Sequence, residues 1–269
     1  MSRLFADTWA LTQRWLIHLR RDRMSLMLGI LQPMILLILV GPLLNHVVND
    51  AGELQEFMKK RFHTSDYLTF LYSGVAVFTI LLNSILGGIP VVFDRETGFM
   101  DKLLASPVSR LSIVASRFVY VILYSLLQVG LISVVAVVIG VRPESPLLAL
   151  LATIGYGTLL CAGITVASLA LAFVFPHHSI FFAITGFLLS PLLIVSPTFV
   201  ALEVMPGWMA TLAQLNPMTH AIEPIRAAFF APSFSEWWSS ARAVSAGGLL
   251  VFDALCFAFA VRILKKRLD

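Results

Sequence analysis

Six apolar runs, each about one bilayer long when wound as a helix, divide the chain almost from end to end. They cover residues 24–44, 67–93, 111–140, 146–175, 179–200 and 241–263. A hydrocarbon core about 30 Å thick takes about 20 helical residues. The pattern therefore predicts an all-α polytopic membrane protein with six transmembrane helices, the longer ones tilted or protruding. An even number of crossings puts both termini on one side.

Two of the intervals carry a helical period of their own. Over residues 3–21, Phe5, Trp9, Leu16 and Leu19 fall on one side of a helical projection, while Arg3, Asp7, Arg14, His18 and Arg21 fall on the other. That is a helix lying in the membrane interface, with aromatic anchors and a basic outer face. It sets residues 1–23 apart from a transmembrane domain over 24–269. Residues 94–106 predict a second surface helix. Phe99, Met100, Leu103 and Leu104 share one face, and Arg95, Asp101 and Lys102 take the other. Pro107 ends it, because proline removes a hydrogen bond and disfavours helical geometry just before it, and Arg110 marks the return to the membrane. Glu96 projects into the apolar arc. A carboxylate there is costly unless a cation or backbone donors meet it; either it is a first-turn acid favoured by the helix dipole, or it is half of a buried ion pair that fixes the helix against a neighbour.

A third interval, 201–240, is apolar without being a span, and holds Met205, Trp208, Leu212, Phe229, Trp237 and Trp238. Such segments read as re-entrant or interfacial helices. The competing reading is an aromatic belt that only anchors the last span.

Composition agrees with the membrane reading and narrows the chemistry. Of 269 residues 58% are apolar and 13% charged, with mean hydropathy +0.89, far from the roughly one-quarter charged residues of soluble domains. The net charge of +4 is modest, and the basic residues cluster at span ends. They read as topology determinants, with no sign of a nucleic-acid surface. If the termini and residues 94–117 face the cytoplasm, thirteen of the 19 Lys and Arg lie there; Lys59, Lys60, Arg61, Arg142, Arg226 and Arg242 lie outside. This predicts a multi-pass plasma (inner) membrane protein with both termini cytoplasmic. Parity alone places the Pro176-His177-His178 turn inside, and without Cys or acidic neighbours in sequence it is no metal site. Cys161 and Cys256 sit inside apolar runs as packing residues. The first apolar run begins after Arg23 with no small-residue cleavage pattern behind it, so it is expected to remain as a span.

Helix breakers and polar groups concentrate in two spans. The second holds Asn83, Ser84, Gly87, Gly88 and Pro90; the fifth holds Ser190, Pro191, Ser196, Pro197 and Thr198. Such groups at membrane depth need partners inside the protein, so both spans are candidates for the wall of a pathway, or for close helix packing. Asp253 stands near the middle of the sixth span, where an acid is costly and is by default a functional hypothesis.

Arg95-Glu96-x-Gly98, followed by Leu103-Leu104, Pro107 and Arg110, resembles the cytoplasmic signature of the ABC-2 type membrane permeases, the class that includes daunorubicin-resistance exporters. A second match is Leu215-Asn216-Pro217-Met218-Thr219-His220-Ala221 with Arg226, similar to the Asn-Pro segment before the last span of those permeases. A weaker third is Gln32-Pro33 with Gly41. Phe99 and Met100 stand where many relatives carry Thr-Leu, and Asp101 where Glu is common. The resemblance implies an elbow helix at 1–23, a coupling helix at 94–106 and an external lid over 201–240 with Trp208, Asn216 and Pro217 at the gate. It also implies a substrate route beside spans 2 and 5, a second permease chain, and two copies of a separate ABC ATPase.

No Gly-x4-Gly-Lys-Ser/Thr loop occurs, and six spans leave no room for a nucleotide-binding domain. The chain is expected to be neither an enzyme nor a holder of cofactor, with ATP and Mg bound by the partner. The leading expectation is a permease of an ATP-driven exporter for hydrophobic or amphiphilic compounds, drug-like or lipid-like. Polysaccharide or teichoic-acid export is the alternative within the family. An ion-coupled secondary transporter would want several intramembrane acids and an internal repeat, and a membrane-embedded enzyme converging His, Asp or Glu.

Overall fold

A computed structural model describes residues 2–21, 23–50, 56, 67–106 and 108–268, and every regular element among them is helical. The amphipathic pattern at 3–21 is α1 (Ser2–Arg21). It lies along the first part of a long helix, α7 (Arg110–Val138). Thr12 Oγ1 donates to the Ser116 carbonyl and Ser112 Oγ to the Leu4 carbonyl, both at 3.4 Å.

The first apolar run is helical throughout but not uniformly α. It comprises α2 (Arg23–Ile35), a π segment Leu36–Val40 and α3 (Gly41–Asp50). Pro33 and Pro42 lack the amides that would bond to the carbonyls of Gly29 and Ile38. The ladder slips to wider spacing between them.

The centre of the fold is α4 (Tyr67–Leu86), with 17 of its 20 residues buried. A helix apolar on all sides needs protein on all sides. Here α7, α8 (Pro146–Val174) and α11 (Pro217–Phe229) supply it. It stops at Gly87-Gly88 and restarts as α5 (Ile89–Glu96), with Pro90 in the first turn. Backbone groups freed inside the bundle must find partners. Ser168 of α8 serves both sides of the break, accepting from the Gly88 amide at 3.0 Å and donating to the Ile85 carbonyl.

The single helix expected over 94–106 is not formed. The chain turns through Thr97 and Gly98, whose φ of 69° is left-handed, before α6 (Phe99–Leu104) begins. That conformation costs a residue with a Cβ about 1–2 kcal/mol and suits glycine. The turn resets the helical phase, so Glu96 does not share an arc with Phe99, Met100 and Leu103. Helix α6 ends before Pro107, which lies outside the described residues. Ser109 caps α7, its Oγ accepting from the Ser112 amide at 3.0 Å.

After α8 come α9 (His178–Ile194), a 3-10 turn Leu202–Val204, α10 (Gly207–Leu215), α11, α12 (Phe234–Trp237) and α13 (Ser240–Leu268). The run expected at 179–200 is shortened because Ser196 precedes Pro197 and leaves helical geometry. Five described helices are long and apolar enough to cross a membrane, and α9 is a shorter apolar helix of 17 residues. At 1.5 Å per residue α9 spans about 25 Å, the lower end of what a bilayer takes.

The region 201–240 divides in two. Helix α10 faces outward, with Trp208 67% exposed, whereas Met218, Ile222 and Ile225 of α11 are completely covered. Helix α11 packs on α4, α8 and α13. A segment that only anchored the last span would make none of the first two contacts.

Candidate functional site

The corner between α5 and α6 is fastened to the α8–α9 turn by two consecutive residues of opposite charge. Arg95 Nη1 donates to the carbonyls of Ala172 at 2.6 Å and Phe175 at 3.2 Å. These are among the last carbonyls of α8, which lack intrahelical donors and carry the negative end of the helix dipole. Glu96 does the converse at the start of α9. Its Oε1 accepts from the His178 amide at 2.8 Å, and its Oε2 lies 2.7 Å from His178 Nδ1. A carboxylate only accepts, so Nδ1 carries the proton. His177 Nδ1 is 3.5 Å from Oε1. The Phe93 ring stacks on His178 with centroids 4.8 Å apart.

The buried ion pair read for Glu96 is not what forms: its carboxylate does join a neighbouring element, through the backbone and ring donors of His178, but at an exposed position. His178 lies 82 residues away, which no local pattern reveals. The same bonds put the Pro176-His178 turn on the side of the α5–α6 corner, where parity placed it.

The faces of α6 follow the sequence pattern. Asp101 and Lys102 are exposed, while Met100 is buried with Val91, Leu169 and Phe181. Phe99 lies under Arg14 of α1, the guanidinium carbon 4.3 Å from the ring centre. Leu103 is half-buried, Leu104 ends α6 and Arg110 begins α7. The corner thus joins α1, α8 and α9 and turns a short charged edge outward.

At the other end of α9, Asn216 performs three tasks. Its Oδ1 accepts from the Met218 amide at 2.9 Å and caps α11, with Pro217 at the first helical position. Its Nδ2 donates to the carbonyls of Leu192 at 2.7 Å and Val195 at 2.6 Å, at the frayed end of α9. Ten residues on, Arg226 has no exposed surface. Its Nε donates to Ser73 Oγ at 3.1 Å, Nη1 to Glu223 Oε1 at 2.9 Å, and Nη2 to the Pro197 carbonyl. Its face lies 3.5 Å from the Phe70 ring centre. Burial pulls its pKa below the usual arginine value, and the Glu223 charge opposes the shift.

The charge count assigns Arg226 to the outer side and does not address its burial; in the fold it is a buried rivet joining α11, α4 and the chain after α9. The signal was present. On a helical projection it falls beside Ile222 on the apolar face of α11.

A cavity of about 450 Å³ opens between the end of α4, α8, α9 and α10. Ile85, Ile164, Leu188, Pro191, Leu212 and Asn216 are among the residues around it, and Pro217 joins them. Of the expected pathway and gate residues, Pro191, Asn216 and Pro217 meet here. Asn83 instead points into the bundle and donates to Gln128 Oε1 at 2.8 Å; Ser84 Oγ donates to the Ile80 carbonyl at 2.7 Å. Gly87 packs against Val121, and Ser196 is buried against Thr198 at 2.8 Å. Ser190 is exposed, its Oγ donating to the Gly186 carbonyl at 3.1 Å, and Trp208 is exposed on α10. Asp253 of α13 lies against Gly163 of α8, with Oδ1 buried and lacking a hydrogen-bond partner among the described residues.

The chain matches the family model described as ABC-2 type transporter over residues 6–230. Relatives named as ycf38 transport permeases, from Cyanophora paradoxa and Porphyra purpurea, are each 34% identical over 272 aligned residues, covering 97% of this chain and 89% of the relative. The daunorubicin resistance ABC transporter permease protein DrrB1 of Streptomyces coeruleorubidus is 26% identical over 160 residues, 59% of this chain and 56% of that one. With the family model spanning most of the chain and the folded corner and Asn-Pro cap in place, this protein belongs to the ABC-2 type transporter family.

Proposed function

We propose that the chain is the permease subunit of an ATP-driven exporter for hydrophobic or amphiphilic compounds, working from the plasma membrane with six crossings and cytoplasmic termini. It pairs with a second permease chain and two ABC ATPase subunits, which bind the ATP and Mg; the permease itself holds no cofactor. The carrying observation is the Arg95 and Glu96 clamp, because it converts a push on the α5–α6 corner into a displacement of α8 and α9 together. Exposed Asp101 and Lys102 on α6 give the ATPase a charged edge to grip. At its far end α9 holds Asn216, so the same displacement reaches α11 and the cavity beneath it. The apolar wall of that cavity favours an amphiphile over a sugar chain, which would want hydroxyl-bonding groups along its route.

The test uses the permease reconstituted with its ATPase. Arg95→Ala and Glu96→Ala are each expected to lower substrate-stimulated ATP hydrolysis by about fivefold or more, the low end of ordinary coupling energies, while membrane insertion survives. Normal coupling in both variants overturns the reading. Transport that persists with an ATPase lacking its catalytic glutamate would favour an ion-coupled carrier instead.

A further inference from the structure

Arg117 is a buried cation that the transport reading does not use. It lies on α7 five residues past Ser112, or about 7.5 Å along the helix, at the edge of an apolar stretch that runs from Ser112 to Val138. Only 3% of it is exposed. The guanidinium carbon sits 3.6 Å from the centre of the Trp15 ring and 5.4 Å from that of Tyr120. Stacking occupies the face of the guanidinium and leaves its N–H groups in the plane.

Two of those, Nε and Nη2, have no hydrogen-bond partner among the described residues. They point from the same edge, the parallel pair that meets two oxygens of a carboxylate or phosphate. A buried charge with this edge unmet is costly.

The local charge balance points the same way. Arg14 also stacks on Trp15, at 4.9 Å, so two guanidiniums share one indole. Asp94 lies within electrostatic range of both, close enough to feel them but without an ion-pair contact to either. Among the described residues, two cations stand against one carboxylate here, an excess positive charge at the membrane edge. The cover is the amphipathic α1, held to α7 here by the two long 3.4 Å hydrogen bonds described above.

We propose that Arg117 of α7, beneath α1, and Arg14 of α1 itself bind the phosphate of an anionic lipid headgroup from the leaflet on which α1 lies. The phosphodiester oxygens accept from Nε and Nη2 of Arg117, Trp15 and Tyr120 flank the headgroup, and Arg14 closes over it. Inorganic phosphate carries the same oxygens but no acyl chains, and the depth of Arg117 selects the lipid.

The experiment is native mass spectrometry of the full chain in detergent, with dioleoyl phosphatidylglycerol, dioleoyl phosphatidylcholine or inorganic phosphate added. The wild type is expected to retain phosphatidylglycerol over phosphatidylcholine by about tenfold, the ratio that about 1.4 kcal/mol gives. Arg117→Gln should erase the preference, Arg14→Gln should reduce it, and Arg242→Gln, on the far side, should leave it alone. Arg117→Lys keeps the charge without the parallel donor pair, so it serves if the glutamine variant fails to fold, and its preference should fall several-fold. An unchanged preference in the Arg117 variants overturns the proposal. So does displacement of phosphatidylglycerol by millimolar phosphate, which would mark a site for the free ion. Neither result bears on ATPase coupling, so the exporter reading and this one fail separately.

Discussion

Removing the guanidinium of Arg226 leaves the Pro197 carbonyl, the Ser73 hydroxyl and the Glu223 carboxylate without their donor at the join of three elements. Breaking a buried, hydrogen-bonded pair typically costs about 3–5 kcal/mol. Arg226→Met is expected to destabilise the protein in detergent by an amount in that range, read as a lowered thermal unfolding midpoint. Arg226→Lys should lie between, because it keeps the charge but reaches fewer of the three acceptors. Equal stability of the methionine variant and wild type would show that the join does not depend on this side chain. Asn216 gives a sharper comparison. If it acted only as a cap, Asn216→Asp would be harmless, since the two rank alike at helix N-termini. Here the amide nitrogen faces two carbonyls. Aspartate would set oxygen against oxygen, and Asn216→Asp should destabilise more than Asn216→Ala. The reverse order would reduce the residue to its capping role.

At the scale of elements, hydrophobic period carries far where an element is regular. The helix expected at 3–21 is observed at Ser2–Arg21, and the spans expected at 111–140 and 146–175 at Arg110–Val138 and Pro146–Val174. It fails where one backbone conformation resets the phase, as Gly98 does, and where the partner is remote, as His178 is to Glu96. A Cβ at Gly98 meets nothing within 4 Å, so the conformation alone sets the cost of substituting it. Gly98→Ala should destabilise by about 1–2 kcal/mol and loosen the corner. Gly98→Asn should be milder, because asparagine visits the left-handed region more readily. A Cβ at Gly163 would instead collide with Asp253 Oδ1 and come within 2.8 Å of the Phe252 ring. Gly163→Ala should therefore part α8 from α13 at a cost of about 1–3 kcal/mol. Asp253→Asn separates packing from chemistry at the same contact. If transport and folding are unchanged, Asp253 fills space and nothing more.

For the whole molecule, the proposed chain of force runs from the corner through the Glu96–His178 contact into α9, and from the far end of α9 through Asn216 into α11. Contacts in series predict non-additive losses, since a broken link cannot be broken twice. Glu96→Gln and His178→Ala, measured singly for substrate-stimulated ATP hydrolysis in the reconstituted complex, should each cost about 5-fold or more. The double variant should cost no more than the worse single one, leaving an interaction energy nearly as large as either loss. His177→Ala should do little, because its ring stands 3.5 Å from the carboxylate and is largely exposed. Losses that multiply in the double variant would mean that Glu96 and His178 act on the ATPase separately. In that case the α8–α9 turn is a second docking point in its own right, and α9 receives its push directly instead of through the corner.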